Sequence, residues 1–154
     1  MENIISTFKR IILSLKKLVW KRVDFDNAYW YQCVDYARWY AKDIQNPIWV
    51  FWGSAYNWYS SWLPFKNTKW KKVEYSKGKI PPVGAIIFFD KTKWNWFNWH
   101  VAVVTKATVD KVIFIWQNQW SWNWDWIGWN AISQASSSYT GWIFGNVMGW
   151  YELP

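Results

Sequence analysis

The chain contains one cysteine and one histidine, and the cysteine stands where a side chain can become a nucleophile. Cys33 opens a helical stretch from about Gln32 to Asp43, in which apolar residues recur at helical spacing. A thiol at a helix N-terminus feels the positive end of the helix dipole, which favours the thiolate. The unpaired backbone N–H groups at that end can also hold an oxyanion. The position therefore predicts a reactive thiol.

His100 opens the apolar run His100–Lys106, which predicts a strand rigid enough to fix an imidazole. Asn118 follows the next apolar run, Lys111–Gln117, where its amide could orient that imidazole. Cysteine, histidine and then a polar residue is the chain order of papain-type hydrolases. The alternatives are a buried structural cysteine and histidine, with Asn118 as a cap at the strand end.

The elements around these residues predict an α+β fold, with helices first and an antiparallel sheet afterwards. The turn at Val109–Lys111 predicts that its two flanking strands form a hairpin. The predicted strands are Trp70–Tyr75, Val83–Asp90, His100–Lys106, Lys111–Gln117, Trp142–Met148 and Trp150–Leu153.

Residues 1–20 form an amphipathic pattern, and residues 21–154 are predicted to be a single catalytic domain. Lys9 and Arg10 interrupt the first apolar run and no small-residue cleavage site follows, so we expect no secretory signal. The amphipathic segment is interpreted as a helix packed on the domain, with membrane-surface contact as the alternative. No segment is long and apolar enough to span a bilayer.

A net charge of +8 and a pI near 9.5 favour an anionic partner. The single cysteine excludes an intramolecular disulfide and a cysteine-based zinc cluster, and the single histidine excludes His-rich metal sites. The lysines are dispersed, and no nucleic-acid-binding fold is recognisable, which argues against a nucleic-acid partner. We expect a monomer without an organic cofactor.

Nineteen tryptophans crowd into stretches that otherwise have turn chemistry, such as WNWFNW at 94–99 and WSWNWDWIGWN at 120–130. Two interpretations compete. The loop aromatics stack on sugars, or the gene reads UGA as glycine and that codon is rendered here as tryptophan. Left-handed backbone at a bulky residue costs about 1–2 kcal/mol. Ten such sites would cost about 10–20 kcal/mol against a domain stability of about 5–15 kcal/mol, which favours recoding.

Four segments together resemble the CHAP domain, the cysteine- and histidine-dependent amidohydrolase/peptidase family of phage endolysins and bacterial wall hydrolases. They are YQCVDYARWY, IPPVGAIIFF, NWHVAVVT and VIFIWQNQW, and the likeness extends from about Asp24 to Trp150. The resemblance implies a papain-like (NlpC/P60-type) fold with the nucleophile at a helix N-terminus beside an antiparallel sheet. The family has glycines where this chain has Trp30 and Trp99, which independently supports recoding.

By the same resemblance, Cys33 is the nucleophile, His100 is the general base and later the acid, and Gln32 helps to polarise the scissile carbonyl. The family's glutamate position holds Trp116, which leaves Asn118 as the third catalytic residue. The implied activity is amide hydrolysis in peptidoglycan through a thioester, as an N-acetylmuramoyl-L-alanine amidase or an endopeptidase. The alternative is a non-catalytic wall- or glycan-binding module. We expect action at the bacterial cell wall, reached from the cytoplasm by a holin-like route or by lysis.

Carboxylates bracket the cysteine in the pattern DFDNAYWYQCVD, which holds Asp24, Asp26 and Asp35. Alternating carboxylates in a turn suit Ca²⁺, which takes six to eight oxygen ligands. The resemblance adds the main-chain carbonyls of Ala28 and Trp30 to this structural calcium site. The alternative is a solvated acidic loop in which Asp35 pairs on its own helix.

Overall fold

The computed structural model describes residues 4–17, 23–25, 32–49, 53–90, 99–117, 133–141 and 145–154. The helices are α1 (Ile4–Lys17), α2 (Cys33–Asp43), α3 (Ala55–Ser61) and a short 3-10 helix (Leu63–Phe65). The strands are β1 (Lys71–Glu74), β2 (Ile86–Phe89), β3 (His100–Ala107), β4 (Lys111–Trp116), β5 (Ser133–Ser138), β6 (Thr140–Gly141) and β7 (Gly145–Glu152). The α+β prediction is confirmed.

The strands form one antiparallel sheet in the order β1-β7-β2-β3-β4-β5, with β6 paired to β7. The predicted hairpin of β3 and β4 is confirmed, and Val103 pairs with Ile115 across it. A register shift between Val104 and Lys106 marks a bulge in β3. Such a bulge adds local twist to the sheet, away from the end of β3 where His100 lies.

The prediction of two separate final strands is wrong for the described residues, because β7 runs unbroken from Gly145 to Glu152. Gly149 is the reason. It pairs with Glu74 of β1, and a Cβ there would collide with the backbone oxygen of Val73. The glycine therefore permits a close approach of two strands while β7 stays continuous, whereas the predicted strands stop at Met148 and start again at Trp150. Residues 142–144 of the predicted strand lie outside the described residues.

The sheet separates two apolar clusters, and β3 is buried on both faces. Val101 and Val103 face the cluster that contains the helices, which we call the helical core. Ala102 and Val104 face the other cluster, which we call the sheet core. Side chains alternate along a strand, so His100 shares its face with Ala102. Burial on both sides makes β3 a rigid support for the residues at its start.

Helix α2 is fixed over the sheet by buried tyrosines. The Tyr40 hydroxyl donates to the Gly84 carbonyl at 2.9 Å, and both Tyr36 and Tyr40 lie in the helical core. Gly84 has a φ of +87°, and a Cβ there would come within 2.7 Å of the Tyr40 oxygen. Glycine is required at this position because only the bare backbone lets the tyrosine reach its acceptor. The contact holds the helix that begins at Cys33.

Helix α1 packs on the domain through Ile11 and Leu15, which are buried in the helical core, while Phe8 and Leu13 remain exposed. Its last turn is tied to the end of α2 by an ion pair between Lys17 and Asp43, 2.9 Å long. The residues of the predicted 1–20 segment outside 4–17 lie outside the described residues. Among the described helices, none is long and apolar enough to cross a bilayer.

Candidate active site

Cys33 is the first residue of α2, as the sequence predicts, and Gln32 is the N-cap with extended backbone (φ −94°, ψ 161°). Because no helical turn precedes them, the N–H groups of Cys33 and Val34 have no acceptor within the helix. The Cys33 sulfur accepts hydrogen bonds from backbone N–H groups, including that of Val101 in β3. The thiol thus lies against the strand one residue beyond His100.

The pKa of the Cys33 thiol is raised to about 11, which differs from the lowered value that the helix dipole alone predicts. Burial is the main cause, and the negative charge of Asp35 acts in the same direction. The N–H groups of Val101 and Val34 pull the pKa down but do not outweigh the burial. In this conformation the thiol is protonated at neutral pH, because burial destabilises the thiolate more than the N-terminus of the helix stabilises it.

The His100 side chain is buried, with a relative exposure of 2%. Its ring lies 5.8 Å from the ring of Trp116 in an edge-to-face arrangement and 6.1 Å from that of Phe89. These apolar surroundings lower the pKa of the imidazole from 6.5 to about 3, because burial penalises the charged form. The imidazole is therefore neutral at physiological pH.

The thiol and the imidazole lie near the start of β3 but on opposite faces of the sheet. Cys33 packs against the helical core, whereas the ring of His100 contacts Phe89 and Trp116 of the sheet core. The backbone at Val101 joins the two, because it donates to the thiol and directly follows the histidine. The fold brings the two residues to one end of one strand, with both groups in their neutral forms.

The remaining predicted site residues divide into described and undescribed ones. The Gln32 N–H donates to Asp35 Oδ2 at 2.8 Å, so the cap residue is bound to the first turn of α2. Asn118 lies outside the described residues, as do Asp26, Ala28 and Trp30. Strand β4 ends at Trp116, two residues before Asn118.

Of the proposed calcium ligands, Asp24 and Asp35 are described. Oδ1 of Asp24 is buried and has no hydrogen-bond partner among the described residues. Asp35 is 1% exposed and uses Oδ2 to bind the Gln32 N–H, which is the local pairing that the alternative interpretation expected. Among the described residues, no three His, Cys, Asp or Glu side chains gather into a metal-binding group. The unsatisfied oxygen of Asp24 nevertheless fits a hard cation.

The described tryptophans range from buried to exposed. Trp58, Trp70 and Trp150 are buried, and the indole N–H groups of Trp70 and Trp150 donate to Asn46 and Glu152. Trp62 is 52% exposed and ends α3 with left-handed backbone at a φ of 52°. A left-handed residue just after a helix is most often glycine. Trp62 therefore adds a structural observation in favour of recoding.

Gln117 is the residue of this region that sequence reasoning missed. It directly follows β4, its side chain is fully buried, and it hydrogen-bonds to both Val23 and the N-cap Gln32. The sequence signal that could have identified Gln117 is its position at the end of an apolar strand, next to the proposed catalytic residue Asn118. A polar side chain buried at such a position needs hydrogen-bond partners in the core.

A helix that begins with cysteine, packed on an antiparallel sheet whose strand begins with histidine, defines the papain-like class. The CHAP domain family model matches residues 23–118, which is more than half of the chain. The chain belongs to the CHAP domain family.

Solved structures share this fold, and one of them is described as an endolysin. The wild-type endolysin LysIME-EF1 aligns with a TM-score of 0.68 and 16% identity over 96% of this chain and 64% of that one. Ly7917 aligns with a TM-score of 0.62 and 20% identity over 95% of this chain and 62% of that one. Ly7917 with the hydrolyzing product of MDP aligns with a TM-score of 0.60 and 19% identity over 99% of this chain and 63% of that one. The chain thus spans less than two thirds of each of these proteins. No curated protein sequence matches it.

Proposed function

We propose that this chain is a peptidoglycan hydrolase in which Cys33 cleaves an amide bond through a thioester. The observation that carries the proposal is the contact of the Cys33 thiol with the backbone of β3, one residue from His100. Membership of the CHAP domain family and a fold shared with endolysins support the substrate class. The bond is the muramoyl–alanine amide or a peptide bond in the stem or cross-bridge.

The proposed reaction begins in a conformation that brings the His100 imidazole from its face of the sheet to the thiol. The Cys33 proton then passes to His100, and the thiolate attacks the carbonyl carbon. Backbone N–H groups at the start of α2, with Gln32, stabilise the oxyanion that forms. His100 then protonates the departing amine, the C–N bond breaks and the acyl group remains on sulfur as a thioester. His100 removes a proton from water, hydroxide attacks the thioester, and the carboxylic acid and the free thiol are released. Asn118 is proposed to orient the imidazole.

Burial of both groups opposes the first of these steps in the described conformation. With pKa values of about 11 for the thiol and about 3 for the imidazole, moving the proton between them costs on the order of 10 kcal/mol. That is a large part of the barrier of a typical enzymatic step. The aromatic ring of Trp116 against the imidazole is a direct contributor to this burial. A glycine there, as recoding gives, would expose the imidazole and lower the cost.

Charge supports a cell-wall partner. A net charge of +8 attracts the protein to an anionic polymer, and added salt weakens that attraction by screening. We propose that the protein acts at the bacterial cell wall as a monomer.

We also propose a structural Ca²⁺ bound by Asp24, Asp26, Asp35 and the carbonyls of Ala28 and Trp30. The buried Oδ1 of Asp24, which has no hydrogen-bond partner among the residues that the structure describes, supports it. The ion would supply positive charge that neutralises these carboxylates and holds the segment before Cys33. Chelation should lower the melting temperature, and added Ca²⁺ should restore it. Identical melting with and without chelator would contradict the metal site.

The second candidate is a wall-binding module without catalysis, and exposed aromatic rings favour it. Trp49 is 63% exposed and Tyr56 is 41% exposed, and the Tyr56 ring stacks on Trp99 at 4.3 Å. Aromatic faces of this kind can stack on sugar rings. This candidate needs no thiol, which makes it separable from the enzyme.

The test is the Cys33→Ala substitution, assayed on purified cell wall by loss of turbidity and by sedimentation of bound protein. The enzyme proposal expects lysis to disappear while binding stays within about twofold, because the nucleophile is lost and the surface is not. Ser136→Ala, on the exposed face of β5, is the matched control and should keep both. Lysis that survives in the Cys33→Ala protein would refute the enzyme proposal. Mass analysis of the released fragments identifies the bond.

A further inference from the structure

The side-chain amide of Gln117 ties together three segments that are far apart in sequence. Its Oε1 accepts from the Val23 N–H at 2.9 Å and its Nε2 donates to the Val23 carbonyl at 2.6 Å, across 94 positions. The same Nε2 donates to the Gln32 carbonyl at 3.2 Å, across 85 positions. With no exposed surface, the amide has these backbone groups in place of water.

The bond to Gln32 matters because of where that carbonyl lies. The Gln32 oxygen also accepts from the Asp35 and Tyr36 N–H groups at 3.2 and 3.4 Å, so it is held from the helix side and from β4. Gln32 C=O and Cys33 N–H belong to one planar peptide unit. Fixing the oxygen therefore fixes the direction of the N–H on the nucleophile itself.

The Cys33 N–H is the first of α2, so the helix offers it no acceptor. Such a donor, held rigidly beside the attacking sulfur, is suited to a developing oxyanion, and its value depends on being oriented in advance. The Gln117 side-chain amide holds the Gln32 carbonyl at the opposite end of this peptide unit, so the Cys33 N–H cannot tilt freely.

We propose that Gln117 is a positioning residue that orients the Gln32–Cys33 peptide, and through it the Cys33 N–H, for oxyanion stabilisation. The inference rests on the proposed function. It assigns to Gln117 an effect on the acyl-transfer step and not on the reactivity of the sulfur.

The first test observes the peptide directly and does not require activity. The chain has one cysteine, so labelling with ¹⁵N-cysteine gives a single amide signal, that of Cys33. Gln117→Leu should shift or broaden this signal, because the hydrogen bond to the preceding carbonyl is lost. Gln134→Leu, a substitution of an exposed glutamine on β5, is the matched control and should leave it unchanged.

The second test compares two reactions of the same thiol. Wall hydrolysis passes through an oxyanion, whereas alkylation by iodoacetamide does not. In the Gln117→Leu protein, kcat should fall about 10- to 100-fold, less than or equal to the smallest typical effect of removing an oxyanion donor outright, because the donor is misaligned and not deleted. KM and the alkylation rate should change less than about twofold. A role confined to holding the fold would instead lower the melting temperature and change both reactions together.

Gln117→Glu serves if the leucine protein does not fold, because it keeps the shape and the acceptor oxygen. Its Cys33 signal should return toward the native position as the pH falls and the carboxyl gains a proton to donate. An unmoved Cys33 signal in both variants, or a parallel loss of alkylation and hydrolysis, would overturn the inference. If the Cys33 signal shifts in the variants but the native protein does not hydrolyse cell walls, the proposed function would be overturned. The orientation of the Gln32–Cys33 peptide by Gln117 would still stand.

Discussion

Acidification should destabilise the fold through His100, and the sign follows from its burial. The folded-state pKa of the imidazole is about 3, below its ordinary value of 6.5. As the pH falls below 6.5, His100 is therefore protonated in the unfolded chain but not in the folded protein. Protonation of this residue thus favours unfolding. The stability associated with the neutral imidazole is complete above pH 6.5, declines below it and is lost near pH 3.

The magnitude follows from the same two values. Each pH unit below 6.5 costs about 1.4 kcal/mol of unfolding free energy until the folded group also protonates. Between about pH 7.5 and about pH 4 the loss from this one side chain is about 3 kcal/mol. That is a substantial share of a domain's whole stability, about 5–15 kcal/mol.

The assay is urea unfolding at about pH 7.5 and about pH 4 for the native protein and for His100→Gln. Both proteins keep the same carboxylates, so the difference between their pH dependences isolates the imidazole. We expect the native protein to lose about 3 kcal/mol more than the variant over this range. Parallel pH dependences would refute the buried, neutral imidazole and would imply a His100 that titrates near its ordinary pKa.

Two further predictions concern tryptophans at positions where recoding gives glycine. Trp62→Gly should be more stable than Trp62→Ala by about 1 kcal/mol, because only glycine accepts the left-handed backbone there without strain; equal melting temperatures would contradict this. Trp116→Gly should raise the pKa of His100 above its present value of about 3 and speed wall hydrolysis, despite a stability loss of about 3 kcal/mol from the cavity. Imidazole titration by NMR measures the first effect, and an unchanged titration would show that other groups bury the ring.

Local pattern was sufficient for the elements that carry the candidate site. The helix that begins at Cys33 follows from its apolar spacing, and the β3–β4 hairpin from two apolar runs around a short turn. Both involve contacts between residues close in sequence, so neighbouring side chains decide them. The CHAP motifs add order and spacing, and the family match over 23–118 confirms that recognition.

Long-range pairing could not be derived in this way. Strand β7 inserts between β1 and β2, and Gly149 allows its close approach to Val73 in β1. Nothing in the sequence of β7 identifies Glu74 as the pairing partner of Gly149, because the edge of a strand can hydrogen-bond to any complementary backbone. The hold of Gln117 on Gln32 is of the same kind, since the two residues are adjacent only in the folded chain.

Chain order by itself determined which two reactive groups the protein has, that the thiol opens a helix and that the imidazole opens a strand. Tertiary packing decided their protonation. Burial raises the pKa of Cys33 and lowers that of His100, against the expectation from the helix dipole. Desolvation depends on every atom around a group, including Trp116 and Phe89, whereas a dipole is set by the local helix alone.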